Sequence, residues 1–361
     1  MKSRESREKL KLIQSKIIET LAKANANAKA EQLKPRLTPK HNKMEEIKVI
    51  TVSLPIAWEN KAANLKLCDH IICKIFSPEI MDKYEIVPGN TIILLPEMFS
   101  CGFTMNHAMA EVCLKDDGSL LPDKSPSICR LLNIAQSYGC AIMASVPVID
   151  GGEYYNRAYF IKPEGGYEQY DKHHLFRMSE EINTYKPGQK RSLFKWNGLR
   201  ISMNICYDLR FPVWSRIQSP TLTADSATCN INTTLGNKIE DRNNNQYNYD
   251  LLLNCANFPK SRTNVLEPLV RARAIENLAY VAFANCSGNS GGIEYCNSSL
   301  FSDYKGTLSN CQLFVDTPYT ETPVQIIIGK VEPQRLRMFR EKFPAYLDSD
   351  SYYLPNMQYS L

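Results

Sequence analysis

From residue 44 onward, short apolar runs alternate with amphipathic ones. Ile47–Leu54 (IKVITVSL) is rich in β-branched and apolar residues and predicts a strand. Ala62–Ile75 places Leu65, Cys68, Ile71 and Ile72 at helical spacing and predicts a helix with one apolar face. Thr91–Leu95 (TIILL) is wholly apolar after its first residue, as expected of a strand covered on both faces. Ser127–Gly139 predicts a second helix closed by a glycine, and Ala141–Pro147 another buried strand. Tyr154–Lys162 and Gly166–Tyr170 flank Pro163-Glu164-Gly165 and predict a hairpin. Leu199–Ile205, Leu251–Ala256, Val281–Cys286 and Ser298–Phe301 predict further strands, with a helix at Glu267–Asn277. Helices alternating with several strand pairs predict an α/β sandwich.

Three stretches stand outside this rhythm. Residues 1–43 carry 12 Lys/Arg and 4 Asp/Glu, while the whole chain carries +5, so the body is slightly acidic. That argues against a nucleic-acid partner for the body, which would want a basic face. Leu10, Ile13, Ile17, Ile18 and Leu21 predict an amphipathic helix over 7–24, followed by linker to Pro35 and Pro39. This extension reads as solvated and without a catalytic role. Its acidic residues argue against a mitochondrial transit peptide, an alternative that stays open. Residues 217–246, rich in Asn, Thr and Ser, read as a surface insertion expected to be disordered. Residues 348–361 read as a tail, leaving one domain over 44–347.

Composition narrows the class. At 43% hydrophobic and 22% charged, the 361-residue chain is ordinary for a soluble globular protein. No stretch reaches the ~18 apolar residues of a membrane span. The 12 Cys include no CxxC pair, so zinc-ribbon and thioredoxin readings lack support. The opening MKSRESREKL has no apolar core of a secretory signal. Free thiols in a reducing cytoplasm are the simplest expectation.

The candidate chemistry lies at strand ends. One buried strand runs into Leu95-Pro96-Glu97, the hairpin ends at Asp171-Lys172-His173-His174, and a third strand turns at Ile205-Cys206-Tyr207. Ligands in α/β sheets bind outside the carboxyl ends of strands. A thiol of ordinary pKa is mostly protonated at neutral pH and needs an activating partner. A buried carboxylate can take its proton, and a lysine can stabilise the resulting oxyanion. Cys, Glu and Lys together suit acyl transfer without histidine.

LLPEMFSCGF at 94–103, YDKHHLF at 170–176 and ICYDLRFPVWSR at 205–216 together resemble the nitrilase superfamily of carbon–nitrogen hydrolases. The resemblance covers nearly all of 46–347 and includes ANFP at Ala256–Pro259 and RARAIENLAYV at Arg271–Val281. REKFPA at Arg340–Ala345 resembles the omega-amidase branch. The resemblance implies a single-domain four-layer α-β-β-α sandwich that works as a homodimer, with no metal and no organic cofactor. It implies Cys206 as nucleophile, Glu97 as general base and acid, and Lys172 with the backbone N–H of Tyr207 as oxyanion stabilisers. A second family glutamate would orient Lys172. Glu181 has the matching spacing to Gly188, and Glu180 is the rival. The implied substrate is a small-molecule amide. It would be the monoamide of a 2-oxo dicarboxylic acid, such as 2-oxoglutaramate or 2-oxosuccinamate, hydrolysed to ammonia through a thioester. The same residues would serve deaminated glutathione, a carbamoyl amine or a nitrile. A non-catalytic scaffold using the extension and insertion is the reading of another class.

Expectations around the centre are less specific. Phe103 and Phe176, with Phe99, either wall the pocket or belong to the core. Arg177 or Arg210 would bind a substrate carboxylate through a bidentate fork, while Asp208 and Arg210 would brace the elbow as an ion pair. His173 and His174 are expected to be structural and to point to opposite sides. Cys101 lies close to Glu97 in sequence, within reach of shared oxidation with Cys206. Phe258 and Leu266 stand where the branch carries Trp, and Leu266 would reshape a pocket wall.

Overall fold

In strand β1 (Ile47–Ser53), Ile47 and Val49 face one way and Ile50 and Val52 the other, and all four are buried. A strand apolar on both faces must be covered on both, and this decides the architecture. The computed structural model describes residues 46–113, 122–216, 249–321 and 323–350. The helix expected over 7–24, the rest of the extension, the insertion at 217–246 and tail residues 351–361 lie outside the described residues.

The further strands are β2 (Thr91–Leu94), β3 (Glu111–Val112), β4 (Ala141–Asp150), β5 (Glu153–Ile161), β6 (Tyr167–Asp171), β7 (Phe194–Trp196) and β8 (Leu199–Ile205). They continue with β9 (Leu251–Ala256), β10 (Tyr280–Asn285), β11 (Gly288–Ser290), β12 (Ile293–Tyr295), β13 (Leu300–Ser302), β14 (Gln312–Val315) and β15 (Val324–Val331). The helices are α1 (Lys61–Ile75), α2 (Pro78–Tyr84), α3 (Pro126–Tyr138), the single turns α4 (Glu181–Thr184) and α5 (Pro212–Ser215), α6 (Leu266–Asn277) and α7 (Pro333–Lys342).

One sheet has the order β14-β15-β1-β2-β4-β5-β6, with β3 on β4; the other runs β13-β10-β9-β8-β7. The centres of both are parallel, β1 with β2 and β4, and β8 with β9 and β10. Ile47, Val49, Ile92 and Met143 of the first sheet pack against Ile201, Met203, Leu253 and Ala282 of the second. On the far side of the first sheet, Ile50, Val52 and Ile142 meet Leu65, Cys68 and Ile71 of α1 and Ile128 and Leu131 of α3. On the far side of the second, Leu252, Val281 and Phe283 meet Leu266, Val270 and Ala274 of α6. The layers are therefore helix, sheet, sheet, helix, as the sequence predicts.

Local sequence sets the element ends. Asn60 caps α1 by accepting from the Ala63 N–H at 3.1 Å. Helix α3 begins with Pro126 and stops at Gly139, whose φ of 62° an L-residue resists. The expected strands and helices appear within about two residues. The exception is Ala141–Pro147, which extends to Asp150. Strands β14 and β15 and helix α7 add a C-terminal unit that closes the first sheet against β1 in antiparallel register.

The sheets approach closely at Gly329 of β15, beside Val49. A Cβ there would lie 2.2 Å from the Phe301 ring of β13 in the opposing sheet. Gly329→Ala is therefore expected to force the sheets apart and cost about 1–3 kcal/mol. In urea its midpoint should fall with an unchanged slope; an unchanged midpoint would mean that the gap accommodates a methyl.

Candidate active site

Each strand end delivers its side chain through a local constraint. Beyond β2, the Leu95 N–H pairs with the Met143 carbonyl at 2.9 Å, and Pro96 ends the ladder. Met98 then adopts a left-handed φ of 45°, with its N–H on Ser145 Oγ at 2.9 Å. That turn holds Glu97 with no solvent exposure. Beyond β6, the Lys172 N–H donates to the Asn156 carbonyl at 3.0 Å, and the Lys172 carbonyl accepts from Gly188 N at 2.9 Å. Position 188 must be glycine, because a Cβ would sit 2.2 Å from the Asp171 carbonyl oxygen. Beyond β8, Cys206 takes φ 48° and opens a 3₁₀ turn over Cys206–Arg210. A non-glycine residue held there marks a strained elbow.

The three ends converge. Lys172 Nζ donates to Glu97 Oε1 at 2.8 Å and to the Glu181 oxygens at 2.8 and 2.9 Å. All three side chains are fully buried. Glu181 comes from α4, and its Oε2 also accepts the Phe176 N–H at 2.6 Å. Glu180 is exposed and pairs with Asn183, so Glu181 is the glutamate that reaches Lys172. Cys206 lies near enough to Glu97 for the carboxylate charge to act on its thiol. Cys206 and Tyr207 are half-buried as residues and adjoin the closed cluster.

Burial opposes the Lys172 charge, but Glu181, Glu97 and Cys206 outweigh it and hold the ammonium well above the usual lysine range. Burial pushes the Glu181 carboxyl up, with Lys172 opposing. Burial, and then the Glu97 charge, push the Cys206 thiol well above the ordinary cysteine value, with Lys172 opposing. Cys206 is therefore held as a neutral thiol at rest.

Two residues that the strand-end reasoning passed over complete the site. Asn156, in the middle of β5, donates from Nδ2 to Glu97 Oε1 at 2.8 Å and to Glu181 Oε1 at 3.4 Å. Asn257 donates its backbone N–H to Glu97 Oε2 at 3.0 Å and its side chain to the Glu97 carbonyl at 2.7 Å. Asn257 lay within the ANFP run, whereas Asn156 sits next to Arg157 in a strand of mixed polarity and offered no distinct signal.

Several surrounding expectations need correction. Asp208 does not pair with Arg210. It accepts from Ile205 N at 3.1 Å, Tyr170 OH at 2.7 Å and both the N–H and Nδ1 of His174 at 2.8 Å. The 3₁₀ turn aims Asp208 back at the strand end, and Arg210 is left exposed. His173 and His174 do not diverge, because they lie on a bend rather than an extended strand, and their rings meet edge to face at 4.6 Å. His173 stacks on Trp214 at 3.6 Å and His174 on Phe211 at 3.7 Å. Among the described residues no His, Cys, Asp or Glu group has metal-site geometry.

Phe99 belongs to the core beneath the first sheet. The Phe103 ring lies 5.0 Å below Lys172 Nζ, and the Phe176 ring meets Tyr207 edge-on at 5.1 Å. Arg177 is exposed. Cys101 is buried with Met98 and Tyr185, and burial pushes its thiol up to about 12. Phe258 and Leu266 are both buried in the core under α6, a core that Cys206 also packs against.

Comparison with known proteins agrees with this geometry. Residues 48–341 match the carbon-nitrogen hydrolase family model. The chain is 32% identical over 312 residues to omega-amidase YafV of Escherichia coli strain K12, covering 86% of this chain and 100% of that protein. It is 29% identical over 214 residues to the 2-oxoglutaramate amidase of Bacillus subtilis, covering 59% and 70% respectively. The crystal structure of XC1258 from Xanthomonas campestris, a CN-hydrolase superfamily protein with an arsenic adduct in its active site, matches with a TM-score of 0.64. The identity is 27%, over 86% of this chain and 99% of that one. A family match over most of the chain, on a sandwich of this layering, makes the chain a member of the carbon–nitrogen hydrolase family in the nitrilase superfamily, a hydrolase of carbon–nitrogen bonds.

Proposed function

We propose that the protein is a cysteine-dependent omega-amidase. Its substrate would be the monoamide of a 2-oxo dicarboxylic acid, such as 2-oxoglutaramate or 2-oxosuccinamate. The observation that carries the chemistry is the buried Glu97–Lys172–Glu181 cluster, with Cys206 beside it on a left-handed elbow. The substrate class rests on the similarity to the omega-amidase of E. coli and the 2-oxoglutaramate amidase of B. subtilis.

The steps follow from the positions. Glu97 takes the thiol proton as Cys206 Sγ bonds to the amide carbon. The N–H of Tyr207, among the first of its turn and so without an intrahelical partner, faces the developing oxyanion. Lys172 donates to Glu97 and Glu181, so it acts on the oxyanion mainly through its field, and an Nζ–H reaches it by leaving a Glu181 oxygen. Glu97 passes the proton to the nitrogen as the carbon–nitrogen bond breaks and ammonia leaves. Water then attacks the thioester with Glu97 as base, and the carbon–sulfur bond breaks to restore the thiol. Glu181 and Asn156 hold Lys172 and Glu97 in place throughout. The described cysteines are all free thiols, which suits a reducing cytoplasm, and the resemblance implies a homodimer.

Ammonia release from 2-oxoglutaramate tests the reading. Cys206→Ala is expected to abolish it, and Glu97→Gln to lower kcat by about 10²–10⁴-fold. A fully active Cys206→Ala would remove the nucleophile assignment. Side-by-side kcat/KM values on a carbamoyl amine, a nitrile and deaminated glutathione should favour the 2-oxo monoamide.

The raised Cys206 pKa gives a second prediction. Its protonated form persists past the ordinary value of 9.0, so the reactive thiolate fraction keeps growing with pH. Alkylation of Cys206 by iodoacetamide should climb steadily from about pH 7 to about pH 9. A plateau near neutrality would reveal a preformed thiolate and remove the need for Glu97 as base.

A further inference from the structure

Beside the buried Glu97–Lys172–Glu181 cluster, Arg262 rests on a ring rather than on a carboxylate. Arg262 lies on the 3₁₀ segment Lys260–Val265, three residues after Pro259, and is solvent-exposed. Its guanidinium carbon sits 4.6 Å over the Phe176 ring. No carboxylate among the described residues pairs with it, whereas Arg157, Arg200, Arg271 and Arg273 each hold one. Glu294 is taken by Lys260, two residues before Arg262, at 2.5 Å.

The platform under Arg262 is part of the site. Phe176 is fixed from below by its N–H on Glu181 Oε2, the same carboxylate that holds Lys172. Its ring edge meets Tyr207, the residue after the nucleophile. The strap carrying Arg262 is equally constrained. Asn257 is bonded to Glu97, Phe258 is clamped at both its N–H and its carbonyl by Asn285, and the Arg262 N–H closes on the Pro259 carbonyl at 2.9 Å. A guanidinium held over a ring still carries its five N–H donors in its own plane, where they can form a fork with a carboxylate. Arg177 and Arg210, the arginines that the sequence suggested for this task, are exposed and carry no ring contact that fixes them.

We propose that Arg262, held over Phe176, is the specificity-determining residue that binds the carboxylate at the far end of the substrate from the scissile amide. This deepens the omega-amidase reading and rests on it. It makes the preferred substrates short amides carrying an anionic end, and it makes Phe176 the surface that sets the orientation of the fork.

Arg262→Gln, Arg262→Lys and the wild-type enzyme would be compared in two assays. In hydrolysis of 2-oxoglutaramate, Arg262→Gln should raise KM by about 10- to 100-fold with kcat within a few-fold, and Arg262→Lys should fall between it and wild type. In the second assay, 2-oxoglutarate should protect Cys206 of the wild type from iodoacetamide. Arg262→Gln should lose that protection while its alkylation rate without ligand stays the same. If the wild type hydrolyses 2-oxoglutaramate but Arg262→Gln keeps its KM and its protection, the Arg262 assignment is overturned and the amidase reading stands. If the wild type does not hydrolyse 2-oxoglutaramate, the substrate reading fails. A protection by 2-oxoglutarate that disappears in Arg262→Gln would then still support an anion site at Arg262. A wild type that 2-oxoglutarate does not protect would overturn that site.

Discussion

The Lys172 ammonium, fully buried between Glu97 and Glu181, is the constraint around which this molecule is arranged. A charge removed from water is costly unless it is paired and its hydrogen bonds are met. One cation against two carboxylates leaves a surplus of acceptor oxygens, and the fold supplies a donor for each place that needs one. Asn156 Nδ2 and Asn257 N serve Glu97, and Phe176 N serves Glu181. Breaking a buried pair by removing one member typically costs about 3–5 kcal/mol, so each contact is held by the cost of losing it. The result is a carboxylate and an ammonium fixed against each other, the arrangement that the proposed mechanism uses as its base and its field.

The same contacts are part of what joins the two sheets. Glu97, Lys172 and Asn156 come from β2, β6 and β5 of the first sheet, while Cys206 and Asn257 follow β8 and β9 of the second. The two bonds from Asn257 to Glu97 therefore cross the sandwich at its carboxyl-terminal rim. At β1, β13 and β15 the sheets meet through apolar side chains and the close approach of Gly329 to Phe301. The relative position of thiol and base thus depends on both the packing of the interior and the polar bonds at the rim. A spacing set by close-packed side chains is hard to alter without loss of stability.

What the sequence reveals follows from how far each interaction reaches along it. Apolar runs such as Thr91–Leu95 and Leu251–Ala256 are local, and their strands are found where the pattern places them. Strand β15, VQIIIGKV, carries a local apolar run yet is absent from the expected strands, and β7, β11 and β12 span three residues each and leave no periodicity to read. Glu97, Lys172 and Cys206 stood out because each follows a strand. Asp208 was misassigned because chain proximity favoured Arg210, while its actual partners, Tyr170 and His174, lie more than thirty residues away. Arg262 sits on an irregular 3₁₀ segment, and no spacing in the sequence ties it to Phe176.

Glu181 ties recognition to chemistry. One of its oxygens faces Lys172 alone with the distant Asn156 amide, and the other is shared between Lys172 and the Phe176 backbone. A displacement of Glu181 therefore moves both the cation that steers the base and the ring on which Arg262 rests. In the reverse direction, a carboxylate drawn onto Arg262 would press on Phe176 and, through one 2.6 Å hydrogen bond, on the carboxylate holding Lys172. Binding energy from the non-reacting end of a substrate has in this way a short, continuous path to the reacting centre. Held equally in the ground and transition states, the bound carboxylate lowers KM rather than raising kcat, and a path built from one aromatic ring and one carboxylate suits a substrate only a few carbons long.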